Sequence, residues 1–164
     1  MAALAPSGEA RAAYTLTSQA TTYSTIAGAT AIASGVGTQG LVPLPFTFRF
    51  FGRAYTQVSA GTNGYLALTG YANGGPNMGS VPVVAGWWDT LNIPSGSGST
   101  FGWKAFGTAP NREVVFQWQN AENDTDYDFG FGYSTNYNFQ VHLHENGTID
   151  LSYGTKTQPP QGFS

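Results

Sequence analysis

The sequence predicts an all-β fold: a single antiparallel β-sandwich, jelly-roll-like or Greek-key in its connections, with almost no helix. Three observations lead there. Charged residues make up only 9% of the 164 residues, against about 25% in an average domain, so the Lys, Glu and Arg that long exposed helices need are scarce. Glycine supplies 22 residues and the aromatic share is 15%, a palette of turns and packed or binding faces. From residue 14 onwards, short apolar-alternating runs are separated by Gly, Pro, Asn and Ser, the pattern of a sandwich or barrel.

The elements follow in order. Residues 1–13, "MAALAPSGEARAA", read as an N-terminal extension, mildly helical at "SGEARAA" and weakened by Gly8. "AYTLTSQATTYSTI" is rich in Thr and Tyr and suits one or two strands near the surface. "TAIASG" is short and ends in a turn. In "PFTFRFFG", Phe46, Phe48 and Phe50 share one face, and Pro43 and Pro45 before it indicate an edge or a bend. "YTQVSAGTNGYLALTG" predicts two strands around Asn63-Gly64, with a type I′ turn. "ANGGPNMGSVP" is a loop, "VVAGWWDTLN" a buried strand with a polar exit, and "PSGSGST" a flexible tip. "FGWKAFG" and "NREVVFQWQN" are strands joined at Pro110-Asn111; Val114, Phe116 and Trp118 share a face opposite Glu113, Val115, Gln117 and Gln119. "NFQVHLHENGTIDLSYG" is the clearest hairpin. Phe139, Val141 and Leu143 point one way, Gln140, His142 and His144 the other, and Ile149, Leu151 and Tyr153 resume the apolar face after Asn146-Gly147.

Composition also excludes. The chain has no cysteine, which removes disulfides, thiolate metal sites and a cysteine nucleophile. Its net charge is −3 and its six cations are scattered, so there is no basic stripe for nucleic acid or an anionic membrane. No apolar run approaches the ~18 residues of a spanning helix. The start lacks the apolar core of a signal peptide.

The order "PFTFRFFG", "TNGYLALTG", "VPVVAGWWDTLN", "VVFQWQN", "NFQVHLHENGTIDLSYG" resembles a bacterial extracellular β-sandwich family found in secreted and surface-anchored proteins of gliding Gram-negative bacteria. It is also distantly similar to the nidogen extracellular (NIDO) domain. The resemblance covers roughly residues 14–155. It implies a non-catalytic adhesion or matrix module, secreted or on the cell surface, and it brings no catalytic residues. The domain, residues 14–164, is expected to lack a final strand, because chains of this kind continue past "GFS". A missing strand would leave a sheet edge that another chain could fill.

Several stretches carry candidate chemistry. "DTDYD" places Asp124, Asp126 and Asp128 two residues apart, and closely spaced carboxylates on a loop can hold calcium. Phe129 stands where an EF-hand loop has its glycine, so a solvated acidic loop is the competing reading. His142 and His144 form an H-x-H pair that could hold zinc with Asp150 as third ligand; the plainer reading is a polar outer face. Trp87 and Trp88 should alternate, one inward and one outward, or both be buried. An exposed Trp88 beside Asp89 and Asn92 would suit a sugar, the ring covering its apolar face. Tyr127, Tyr133 and Tyr137 sit among Gly, Ser and Asn in a mix that binding loops use. For catalysis, Asp89 and Glu113 are the one carboxylate pair to consider, and no nucleophile elbow "GxSxG" occurs.

Three functions follow as expectations. The first is a non-catalytic extracellular module that binds a glycan or a protein. The second is a structural subunit of a surface matrix or filament, assembled by strand addition. The third is an accessory domain of a secreted hydrolase.

Overall fold

The computed structural model describes residues 14–20, 22–68, 81–124 and 135–157. Within them, eleven strands form two antiparallel sheets. The smaller sheet runs in chain order: β3 (Gln39–Phe50), β4 (Arg53–Gly61), β5 (Tyr65–Ala67) and β6 (Val83–Ala85). The larger sheet contains β1 (Thr30–Ala31), β2 (Gly35–Val36), β7 (Leu91–Ile93), β8 (Thr100–Phe106), β9 (Glu113–Asn123), β10 (Asn136–His144) and β11 (Ile149–Tyr153). Its order is β1-β8-β9-β10-β11, and β7 joins β2 to the far end of β9. Both β7 and β8 pair with β9, at Leu91↔Asn123 and Thr100↔Gln119, so they act as one strand interrupted by residues 94–99. β1 and β2 precede the smaller sheet in the chain and their partners β8 and β7 follow it, a return of the kind Greek-key sandwiches use.

The core lies between the sheets, and the sequence periodicity locates it. Val42, Leu44, Phe46 and Phe48 are buried, with Pro43, Pro45 and Thr47 exposed between them. Both prolines lie within β3, an edge strand, where a missing N–H costs no ladder bond. Val114, Phe116 and Trp118 of β9 and Phe139, Val141 and Leu143 of β10 are fully buried. Phe101, Trp118 and Phe139 are direct cross-strand neighbours on β8, β9 and β10. Their rings stack in a row, with centroids 4.5 and 4.7 Å apart. Trp118 Nε1 donates to Gly61 O (3.2 Å), tying this row to the smaller sheet.

Four expectations need correction. Tyr14–Ile26 is not a strand in its described residues. Its Ser24–Ile26 end lies as a strap over the outer face of the larger sheet and is held by side chains: Gln117 Oε1 accepts from Ile26 N (2.7 Å), and Gln140 Nε2 donates to Ser24 O (2.8 Å). Its Thr and Tyr residues suited a strand locally, but these side-chain bonds take the place of a ladder. The outer face of β9 is therefore not simply solvated, and Val115 and Gln117 are buried.

The hairpin turns also differ. Asn63-Gly64 and Asn146-Gly147 each have positive φ only at the glycine, 83° and 91°. They belong to three-residue loops, closed by Gly64 N→Gly61 O (3.1 Å) and Gly147 N→His144 O (2.9 Å). The two-residue loop with positive φ at both positions is Phe51-Gly52 (46° and 79°), between Phe50 and Arg53.

Two further corrections concern exposure. Leu151 and Tyr153 of β11 share the core-side face with their partners Val141 and Phe139, yet they are exposed. Among the described residues β11 is the edge of the larger sheet. Trp87 and Trp88 are both exposed, because β6 ends at Ala85 and neither belongs to a strand.

Candidate functional site

Residues 86–90 carry the chain from the smaller sheet to the larger one. The loop between β4 and β5 clamps this crossover. Gly64 O accepts from Gly86 N (3.0 Å) and Trp87 N (3.3 Å), and Asn63 O accepts from Asp89 N (3.1 Å). With its backbone pinned and Gly86 pressed on Phe139, the crossover turns both indoles outward, 37% and 47% exposed.

Trp87 then meets the end of the larger sheet. Its ring lies 4.6 Å from Tyr137 and 6.4 Å from Tyr153, centroid to centroid. The Tyr153 hydroxyl donates to Gly86 O at 2.7 Å, which fixes a ring that is itself 51% exposed. Lys156 Nζ stands 5.3 Å from the Tyr137 ring centre. Between these side chains and Asn138 lies a cleft of about 120 Å³. On the other side of the crossover, Trp88 tilts against Tyr65 at 6.1 Å. Burial pushes the Tyr153 and Tyr65 phenols above their ordinary value, so both hydroxyls stay protonated at neutral pH. The surface is thus aromatic, with hydroxyl, amide and ammonium groups at its margins.

A larger cleft, about 400 Å³, opens where β1 and β2 flank the interruption between β7 and β8. It is lined by small apolar residues, serines, Gln117 and Gln119 and has no ionisable side chain. Gln117 is already engaged with Ile26, Gln140 and Gln119. The crossover surface offers more recognition chemistry.

A family model described as NIDO related matches residues 13–163. The chain belongs to the NIDO-related family. The family is of an extracellular type, in line with the resemblance in the strand motifs. No curated protein and no solved structure matches the chain.

In this NIDO-related domain the sequence-predicted residues are only partly brought together. Trp88 is exposed beside Asp89, but the Asp89 carboxylate is engaged within the protein: Oδ1 accepts from Thr90 N (2.8 Å) and Oδ2 from Asn123 Nδ2 (3.2 Å). It fastens the crossover to β9. Asn92 is half-buried in β7, opposite Val36 and Glu122. Tyr137 is buried and lines the Trp87 cleft. Asp124 is half-buried, with its N–H on Thr90 O (3.0 Å). Asp126, Asp128, Tyr127 and Tyr133 lie outside the described residues.

Asp89 and Glu113 do not form a pair. Asp89 contacts Asn123, the last residue of β9, and Glu113 is the first. Ten residues of strand separate these ends by about 33 Å, against the 5–10 Å of a glycosidase pair. Sequence reasoning missed Trp87, Tyr153 and Lys156 as site residues. The available signal was Tyr153 ending an alternating strand; that this strand is an edge needs the topology.

No helix among the described residues is long and apolar enough to cross a membrane.

Proposed function

We propose that this NIDO-related domain is a non-catalytic extracellular binding module. Its ligand is a glycan or an extracellular protein, held on the surface of Trp87, Trp88 and Tyr153. The observation that supports this reading most is the outward turn of two adjacent indoles on a pinned backbone. Rigid aromatics present apolar area at little entropic cost, and they suit both sugar faces and protein partners. Screening the chain against immobilised glycans and matrix proteins tests it. Loss of a hit on Trp87→Ala or Trp88→Ala, with folding intact, supports the proposal. No hit, or hits indifferent to both variants, rejects it.

A second reading is self-assembly by strand addition. The exposed Leu151 and Tyr153 on the edge strand β11 favour it. Sedimentation that shows polymers, together with their loss on Leu151→Lys, would move the assignment to a matrix subunit. The calcium reading of Asp124, Asp126 and Asp128 belongs to the same proposal. A higher melting temperature in calcium than in chelator supports it, since an ion bound only to the folded state stabilises that state. Identical melts remove it.

A further inference from the structure

On the outer face of the larger sheet, where β9 begins and β10 ends, three side chains converge. Glu113 pairs in register with His144, and His142 is two residues along β10 on the same face. One nitrogen from each histidine and one carboxylate oxygen lie within 4.8 Å of one another. Glu113 Oε2 is 3.2 Å from His142 Nδ1 and 3.7 Å from His144 Nδ1. The two imidazoles are nearly parallel, 16° apart. The side chains of Glu113, His142 and His144 are 31%, 21% and 27% exposed, so the group is accessible but partly shielded.

The hydrogen bonds around this group place a hydrogen on each Nε2. Ile26 N donates to Gln117 Oε1 at 2.7 Å. The same Gln117 oxygen and Ser24 O both accept from Gln140 Nε2, each at 2.8 Å. The amide of Gln140 is therefore oriented, and its oxygen faces His142 Nε2 at 3.1 Å. An amide oxygen only accepts, so His142 carries its hydrogen on Nε2. His144 Nε2 lies 2.8 Å from Asp150 Oδ2, another pure acceptor, so it too carries its hydrogen there. His142 Nδ1 and His144 Nδ1 both face one Glu113 oxygen, a third pure acceptor. A divalent cation at this point would take the place of hydrogens on Nδ1 and draw on all three groups at once.

We infer that Glu113, His142 and His144 form a binding site for one divalent transition-metal ion, Zn²⁺ foremost. The ligands are the two Nδ1 atoms and Glu113 Oε2, and the fourth position is open to water. Zinc bonds to nitrogen and carboxylate oxygen are about 2.0–2.2 Å, which sets neighbouring tetrahedral ligands about 3.4 Å apart. The 3.2 and 3.7 Å separations bracket that value. Gln140 and Asp150 hold the imidazoles from behind, as metal-bound histidines require. Asp150, the third ligand expected from the sequence, is thus a positioning residue on the far nitrogen, and Glu113 takes the ligand's place. The ion would join β9 to β10 and, through Gln140, to the strap.

The test is equilibrium dialysis of chelator-stripped protein against zinc chloride. The expected result is one equivalent of Zn²⁺ bound with micromolar or tighter affinity. Glu113→Gln and His144→Asn each weaken binding at least tenfold, and Asp150→Asn weakens it about 10–100-fold, while the urea midpoints of the metal-free proteins show that each variant is folded. The wild type needs no variant for a second readout. Bound Co²⁺ gives the intense visible bands of a tetrahedral site, and imidazole ¹⁵N resonances report metal on Nδ1 with Nε2–H retained. Absence of saturable binding, affinity unchanged by Glu113→Gln, or metal on Nε2 would overturn the inference.

Discussion

Substituting alanine at Gly86 probes how the sandwich positions its exposed indoles. A Cβ there would lie 2.9 Å from Phe139 Cδ2 and 3.1 Å from both Phe139 Cε2 and Val141 Cγ2. Gly86 is not among the glycines with positive φ, so the cost is one of packing and not of backbone strain. Phe139 has nowhere to retreat. It is fully buried and stacked on Trp118, which is stacked on Phe101 in turn, and the backbone of Gly64 closes on its ring. Overpacking of a tight core costs about 1–3 kcal/mol, a sizeable part of the 5–15 kcal/mol that typically holds a domain. For a chain of this length that lowers the melting temperature by about 2–12 °C. Urea unfolding of wild type, Gly86→Ala, Phe139→Leu and the double variant forms a cycle. Leucine at 139 removes the ring edge that meets the new methyl, so the double variant should be more stable than the sum of the singles implies, by about 1 kcal/mol. A neutral Gly86→Ala, or additivity within ~0.5 kcal/mol, would show that Phe139 does have room to yield.

Other outcomes follow from the same geometry. Gln117→Leu strands the Ile26 N–H and one donor of Gln140, and should cost about 1–3 kcal/mol per unsatisfied group; urea melts measure it, and faster amide exchange at Ile26 localises it to the strap. Tyr153→Phe removes the bond to Gly86 O and should cost about 0.5–1.5 kcal/mol, with a change in indole fluorescence as Trp87 loosens. Arg112 clasps Glu145, its Nε donating to Oε2 at 2.8 Å, and it also donates to Pro45 O, so the pair spans both sheets. That side-chain hydrogen bond holds the Glu145 carboxyl below its ordinary value. The stabilisation is therefore full above the unfolded carboxyl value, about 4.3, and is lost as pH falls through the lower folded one. Melting curves of wild type and Glu145→Gln should differ at pH 6 and converge in strong acid; a constant gap would contradict the assignment.

The framework was legible because strand periodicity is local. Val42 to Phe48, Val114 to Trp118 and Phe139 to Leu143 each reveal their buried face by alternation alone. What escaped the sequence depends on where strands stop and which lie at an edge. Trp87 and Trp88 sit two residues past a run of β-formers, and nothing local shows that β6 ends at Ala85. Tyr153 continues an apolar face, yet it is exposed on the edge strand β11. The Asn-Gly pairs marked two hairpins correctly but not their turn type, since one extra loop residue lets asparagine keep negative φ. Phe51 adopts positive φ in a two-residue loop, against local preference, with the Tyr14 ring 5.1 Å away. The H-x-H pair was visible, but its partner Glu113 is 29 residues from His142 and reaches it only through the β9–β10 register.

On the proposed function, the crossover indoles receive the ligand. Titrating a hit from the glycan and matrix-protein screen into ¹⁵N-labelled protein, while following the indole N–H resonances of the four tryptophans, tests it most directly. Trp118 is an internal control, buried with its N–H on Gly61 O. Trp87 and Trp88 are expected to shift together with saturation while Trp118 stays in place. Saturable binding that leaves both Trp87 and Trp88 unmoved would contradict the proposed function.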